Sequence, residues 1–475
     1  MVMKQSTDIL NAIPKADSKA IQSAYEQALS SFRHKVIVLD DDPTGIQTVH
    51  GVSVFTDWSE ESIEAGFLED SRMFFILTNS RSMTEKETAA AHKTIAATIV
   101  KVAERLNQDF VIVSRGDSTL RGHFPLETEV LKTTIEQQSS RQFDGEILLP
   151  FFQEGGRFTI DNIHYVQEGH ELIPAGDTEF ARDRTFGFQS SHLGEWIEEK
   201  SEGMFTKKNT TYISLADLRA LRIDQIKQQL MSVKDFKKVV VNAVDYDDVK
   251  VFVTALIEAI QAGQQLMFRS AAALTKVLGG IGDQALLTRD ALIQEESPHG
   301  GLIMIGSHVK KTTEQLKALQ QDKEIAFIEL NTHLVLEPDA FREEIDRVIQ
   351  QTEALLAAGQ SVAVYTRRER LDLGDDRQEE ELKLSVQISD AVTSIVQRLT
   401  IRPKYLIAKG GITSSDIGTR GLSVKRATVA GQIKPGIPVW QTGEESKFPF
   451  MSYVIFPGNV GSKDTLKEAV DILEG

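Results

Sequence analysis

Two short stretches of this 475-residue chain concentrate side chains that can hold a small polar molecule and move a proton on it. The first, VIVLDDDPTG, ends an apolar run in Asp40, Asp41 and Asp42 before Pro43, Thr44 and Gly45 turn the chain. Three adjacent carboxylates repel one another, and a hydroxyl, a cation or a proton in transit relieves that repulsion. A solvated turn with an Asp helix cap accounts for the same residues. The second, FVIVSRGDSTLRGHF, sets Arg115, Asp117, Ser118, Thr119, Arg121 and His123 after another apolar run. Guanidinium groups grip carboxylates in a planar fork, while Asp and Ser suit hydroxyls. A substrate with one carboxylate and several hydroxyls satisfies the set; an Asp-Arg pair tying the loop explains one arginine but not the cluster. His123 reads as a packed or capping residue.

Two weaker stretches add candidates. In LTNSRSMT a capping box explains Thr84 with Glu87 and leaves Arg81 as an anion contact. In LLPFFQEGGRF turn geometry explains Gly155 and Gly156 and leaves Arg157. The C-terminal half differs, with glycine loops after apolar runs: Gly306-Ser307-His308, Lys409-Gly410-Gly411-Ile412-Thr413-Ser414-Ser415, and PGNVG at 457–461. A glycine turn that opens a helix presents free backbone N–H groups and suits a polyphosphate. Ordinary turn chemistry explains any one of these loops. None has the Walker or the dinucleotide-binding glycine spacing, which counts against a P-loop NTPase and a common dehydrogenase.

The elements that must position these residues are those of an α/β protein. Short apolar runs at 36–39, 73–77, 110–113, 147–149 and 239–241 read as strands buried on both faces, and 84–106 as an intervening helix. A first helix is expected over 17–32. QEESPHGG at 294–301 packs charge, Pro and Gly and marks a boundary. Beyond it the spacing predicts strands at 302–305, 325–330, 361–365 and 405–408, a helix through Phe341, Ile345, Val348, Thr352 and Leu355, a β-ribbon within 429–458, and a last helix at 464–473. The expected organisation is an N-terminal helical extension (1–34), a substrate-binding domain (35–295) and a second domain (300–475), each with a mostly parallel or mixed sheet flanked by helices, and the active site in the interdomain cleft.

Composition excludes several classes. A net charge of -16 opposes a nucleic-acid partner, whose phosphates need clustered Lys and Arg. With no cysteine there is no disulfide, thiolate metal site or Cys nucleophile, which fits a cytoplasmic protein. No apolar run approaches membrane-spanning length, and charges at Asp8, Lys15, Asp17 and Lys19 break up any signal-peptide core, so neither a membrane nor an export route is expected.

Asp41-Asp42-x-Thr44-Gly45, Asp117-Ser118-Thr119-Leu120-Arg121-Gly122, Gly155-Gly156-Arg157, Gly306-Ser307-x-x-x-x-Thr312 and Gly410-Gly411-x-Thr413-Ser414 occur in the order found in the four-carbon acid sugar kinase family, which this chain resembles over about residues 35–472. The resemblance implies a sugar-acid domain followed by a nucleotide domain, and transfer of phosphate from ATP, with Mg²⁺, to the terminal hydroxyl of threonate, erythronate or an oxo-tetronate. It implies that Ser307, Gly410, Gly411, Ile412, Thr413, Ser414 and Gly458 contact ATP, while Asp42, Asp117, Ser118, Arg121 and Arg157 line the acid site. Asp41 and Arg81 join that site by position. Three stretches depart from the family pattern: Asp40, Pro43 and Ile46 stand where Ala, Leu and Ala are frequent, Ile412 where an acid is, and Phe456-Pro457 where Lys-Ser is.

On this reading Arg121, helped by Arg81 or Arg157, anchors the substrate carboxylate, and Asp42 or Asp117 orients the hydroxyl and accepts its proton. The metal ligands are unassigned, the partners are the sugar acid and ATP, and a homodimer is compatible with the sequence. Two other classes fit the same residues: a nucleotide- or acid-responsive binding protein that transfers nothing, and a lyase or epimerase on the same acids.

Overall fold

The computed structural model describes residues 3–293, 297–369 and 378–475, with side chains from Lys383 onward in the last segment. The chain divides into two compact units, Met1–Asp283 and Gln284–Gly475. Gln294, Glu295 and Glu296 of the expected linker lie outside the described residues. The division falls before them because Leu287 donates its N–H to Gln432 O at 2.8 Å, and Leu287, Leu292 and Ile293 join the core of the second unit.

In the first unit eight strands form an all-parallel sheet in the order Thr211–Ile213, Lys237–Val241, Gly145–Leu149, Leu266–Ser270, Phe110–Arg115, Lys35–Asp40, Met73–Leu77, Ser53–Phe55. Every residue of Lys35–Asp40, Met73–Leu77 and Phe110–Arg115 is buried, as helices on both faces require. The helix Glu85–Leu106 starts with both bonds of the Thr84–Glu87 capping box, so Thr84 and Glu87 are accounted for structurally. The helix Ser18–Ser31 is capped by Asp17 and buries Ile21, Tyr25 and Ala28, and Tyr25 Oη donates to Val277 O at 2.7 Å, which makes it part of this unit. A second, antiparallel sheet joins Gln5–Ser6, Glu171–Pro174, Ile163–Glu168 and Arg157–Ile160. Sequence periodicity did not reveal it, because charged and polar residues interrupt each short strand.

After Lys35–Asp40 the chain builds the two strands on one side, then crosses to Phe110–Arg115 on the other. Strand order therefore reverses at Lys35–Asp40, and ligands of open parallel sheets gather beyond the carboxyl ends at such a reversal.

In the second unit the order is Arg426–Lys434, Ile437–Thr442, Ser452–Phe456, Leu406–Lys409, Leu302–Ile305, Val362–Thr366, Ala326–Leu330. The last five are mutually parallel, and the first two form an antiparallel hairpin beside them. The region expected to be all ribbon thus supplies a hairpin and one strand of the parallel core. Among the described residues no helix is long and apolar enough to cross a membrane.

Candidate active site

The sheet register brings three of the sequence-predicted loops of the first unit together. Asp40 is opposite Arg115 on one side and Leu77 on the other, so DDDPTG, GDSTLRG and NSRS leave three adjacent strands at one level. Arg81 joins the two carboxylates proposed for catalysis: Nη2 pairs with Asp42 Oδ2, and Nη1 lies 3.5 Å from Asp117 Oδ1. Asp42 is fully engaged, because Oδ1 also accepts from Thr44 N at 2.7 Å and Thr44 Oγ1 at 2.5 Å. Asp117 directs Oδ2 to Arg121 Nε at 2.7 Å and to Thr119 Oγ1, which leaves Oδ1 with only the long Arg81 contact.

The environment sorts the carboxylates. Burial pushes Asp40 up to about 7, against the pull of Arg115, and neighbouring Asp41 and Asp42 add to the rise. Burial also raises Asp41, with Arg81, Arg115 and Arg269 opposing. At Asp42 burial is overcome by Arg81 and the Thr44 bonds, and at Asp117 by Arg121 and Arg81 with the bonds from Arg121 and Thr119, so both carboxyls are held below the usual range. Arg115 Nη1 lies 3.1 Å from Asp40 Oδ1 and 3.4 Å from Asp41 Oδ1, while Oδ2 of each buried aspartate has no hydrogen-bond partner.

The arginines divide as well. Arg121 is tied to Asp117 and lies 3.7 Å from Asp183 Oδ2. Arg157 opens the strand Arg157–Ile160 of the small sheet, forms no ion pair among the described residues, and has a buried Nε with no hydrogen-bond partner. Its guanidinium and that of Arg121 lie 5.7 and 5.1 Å from the Phe180 ring centroid. Burial lowers the Arg157 pKa, with Asp117 opposing. A cation held beside a carboxylate cluster without a partner of its own is suited to an incoming anion.

Two supports escaped sequence reasoning. Arg269, at the end of Leu266–Ser270, pairs with Glu127, donates to Ser114 Oγ at 3.0 Å and reaches Arg121 O at 3.3 Å. The GDSTLRG loop therefore rests on its guanidinium. LMFRS repeats the pattern of an apolar run ending in Arg and Ser, which was the available signal. Buried His164 lies 2.8 Å through Nε2 from Ser118 O and 3.0 Å through Nδ1 from Thr159 Oγ1. Burial lowers it to about 4, so it is neutral at pH 7. Because Ser118 O can only accept, Nε2 carries the proton and Nδ1 accepts from Thr159. His123 bonds Met83 O at 3.0 Å and meets Phe186 edge-on at 4.9 Å, a packing role.

In the second unit the three glycine loops leave the adjacent parallel strands Ser452–Phe456, Leu406–Lys409 and Leu302–Ile305, with Lys409 opposite both Phe456 and Ile305. Ser307 N and Gly306 N donate to Lys409 O, Gly410 N donates to Phe456 O at 2.9 Å, and Thr312 Oγ1 donates to Gly458 O at 2.9 Å and Ser307 Oγ at 3.2 Å. Gly410 has φ +130°, and a Cβ there would lie 3.0 Å from Thr413 Oγ1 and 3.1 Å from Ser307 Cβ. One on Gly458 would lie 2.8 Å from Ser307 Oγ. The helix Gly411–Asp416 follows directly. Ile412 is 64% exposed on its first turn, whereas buried Ser414 spends its hydroxyl on Ala408 O at 2.8 Å.

Comparison with known proteins accords with this division. Residues 36–278, more than half of the chain, match the family model of a sugar-binding N-terminal domain, and residues 302–466 match that of a nucleotide-binding C-terminal domain. The chain belongs to this family of paired sugar-binding and nucleotide-binding domains, a kinase-like architecture that agrees in general terms with the four-carbon acid sugar kinases. Two solved structures share the fold. Haemophilus influenzae protein HI1011, of family model DUF1537, is 17% identical with a TM-score of 0.60, over 92% of this chain and 100% of that one. A Salmonella typhimurium LT2 protein, given provisionally as a tRNA synthase, is 14% identical with a TM-score of 0.64, over 91% and 98%. No curated protein matches the chain.

Proposed function

We propose that the protein is an ATP-dependent kinase that phosphorylates the terminal hydroxyl of a small, four-carbon sugar acid. The observation that carries this reading is Arg157, a partly buried guanidinium that forms no ion pair among the described residues, near an aspartate one of whose oxygens has only a 3.5 Å contact with Arg81, in a domain whose family binds sugars. Arg157 grips the substrate carboxylate, Arg121 supports it, and Ser118 and Asp41 contact hydroxyls. Arg81 acts as a positioning residue between Asp42 and Asp117.

Of the two carboxylates, Asp117 is assigned the proton, because both oxygens of Asp42 are already bonded. As the bond from the substrate oxygen to the γ-phosphorus forms and the bond from phosphorus to the ADP oxygen breaks, the hydroxyl proton passes to Asp117 Oδ1. In a loose transition state that proton moves late, so an aspartate held well below the usual range suffices as acceptor. Backbone N–H groups at 411–413 and 458 hold the ATP phosphates, while those of Gly306, Ser307 and Gly410 are spent on Lys409 O and Phe456 O and shape the loops. Transfer requires the two sites to meet with water excluded.

Among the described residues no group of three or more His, Asp or Glu forms a metal cage. Mg²⁺ usually binds through substrate phosphates and its own waters with one or two carboxylates, a donor set that needs no such cage. No protein ligand is assigned to it; when bound it would screen the phosphate charge.

The test is ADP release from Mg-ATP by the purified chain with threonate, erythronate and oxo-tetronate stereoisomers. Stimulation by one acid supports the kinase and names its substrate. Nucleotide binding without release for any acid would favour the binding-protein reading, and ATP-independent conversion of an acid the lyase or epimerase.

A further inference from the structure

The glycine loops of the second unit share one support, Lys409. Lys409 is fully buried at the carboxyl end of the central strand of the three that carry those loops. Its backbone carbonyl accepts from Gly306 N and Ser307 N. Its Nζ donates to Pro457 O at 2.5 Å and Gly458 O at 3.2 Å, and lies 4.0 Å from the Phe456 ring centroid. One residue thus ties the first loop through its main chain and the third through its side chain, while the next residue, Gly410, begins the second.

Among the described residues no carboxylate pairs with this lysine. On the strands beside it, Leu302–Ile305 is wholly apolar, and Tyr453 of Ser452–Phe456 spends its hydroxyl on Ser414 O at 2.6 Å. On Gly411–Asp416 the one acid, Asp416, is taken by Arg420 at 2.9 Å and Ser389 Oγ at 2.7 Å. On Lys310–Leu319 the charge acting on Lys409 is that of Lys311, which repels it. Burial first, and then Lys311, lower Lys409 to about 6. A loop that holds an anion turns its N–H groups toward it and its carbonyls away. An amine behind the loop that collects those carbonyls fixes this orientation, and with no carboxylate beside it among the described residues Lys409 stays mostly neutral until an anion arrives.

Resting on the reading of this unit as the nucleotide site, we propose that Lys409 is the internal counter-cation of the nucleotide phosphates: it pins the 457–458 carbonyls beneath the glycine loops and is protonated when the nucleotide binds. Binding then draws a proton from solvent in addition to any that the nucleotide itself exchanges.

The experiment is calorimetric titration of the full chain with Mg-ADP at pH 7, in buffers of different ionisation enthalpy, for wild type, Lys409→Arg and Lys409→Met. A group titrating near 6 is about one-tenth protonated at pH 7, so full protonation on binding takes up roughly 0.9 proton per nucleotide. The proposal expects wild type to exceed both variants by at least about half of this, with affinity largely kept in Lys409→Arg and reduced ~10-fold or more in Lys409→Met. A purely structural role would change affinity but not proton uptake. Equal uptake in wild type and whichever variant folds overturns the role of Lys409 and leaves the nucleotide reading standing. Absence of nucleotide binding by wild type overturns both.

Discussion

Removing a positive charge at position 157 or at position 121 should have opposite consequences, although the two guanidinium groups flank the same phenylalanine ring. Arg121→Met breaks the 2.7 Å pair with Asp117 and leaves a carboxylate that is 12% exposed with fewer partners. Loss of one partner of a buried pair costs about 3–5 kcal/mol. Because Arg121 is 25% exposed, solvent screens part of this, and about 1–3 kcal/mol is expected. At roughly 2–4 °C per kcal/mol for a domain of this size, the melting temperature should fall by several degrees. Arg157→Met breaks no ion pair and relieves a buried Nε of its missing partner, at the loss of a 5.7 Å contact with Phe180 worth about 0.5–1 kcal/mol. Its melting temperature should stay within about 2 °C of wild type. Binding should behave otherwise. Hydrogen bonds to a charged group contribute about 1.5–3 kcal/mol, so Arg157→Met should raise the KM for the acid roughly 10- to 150-fold. Differential scanning fluorimetry and steady-state kinetics on the same preparations decide the matter. An unchanged KM in Arg157→Met, or a loss of stability in Arg157→Met that Arg121→Met does not share, would refute the assignment.

Three further outcomes follow from the same geometry. Asp117→Asn, which keeps the size of the side chain, should lower kcat by ~10²-fold or more with a small effect on nucleotide affinity, and single-turnover kinetics would reveal full activity if the proton went elsewhere. Gly410→Ala forces a side chain into a backbone at φ +130° and toward Ser307 and Thr413; a strain of about 1–3 kcal/mol should weaken nucleotide binding roughly tenfold, read by calorimetry. Asp40 makes stability depend on pH. Its folded pKa of about 7 lies above the unfolded value, so the native state holds the extra proton between about pH 4 and 7, and stability falls as pH rises through that window. Asp40→Asn should flatten this slope and match or exceed wild type at pH 8 by up to ~4 kcal/mol, as measured in urea melts at pH 4, 6 and 8.

Ser53–Phe55, Thr211–Ile213 and Leu266–Ser270 of the first parallel sheet were not expected; its other strands were legible because they are short, apolar runs that end in polar loops. That same boundary exposed DDDPTG, NSRS and GDSTLRG, which the register sets on three neighbouring strands. The allocation of partners was not legible. Arg81, Arg121 and Arg157 are the same residue type in similar loops, and only the fold shows the first two tied to aspartates and the third in no ion pair among the described residues. Arg269 and His164 were missed because each supports a loop that is distant in sequence. The small sheet was missed because its strands alternate too briefly for periodicity to register, and Lys409 because a lysine after a strand looks exposed until its burial is known.

Transfer of phosphate from ATP to an acid leaves its record on the phosphorus itself. With Mg-ATP and the acid that stimulates ADP release, ³¹P NMR of the reaction should show a phosphomonoester accumulating in step with ADP and little inorganic phosphate. Inorganic phosphate in its place, or bound nucleotide that stays intact with every four-carbon acid, would contradict the account.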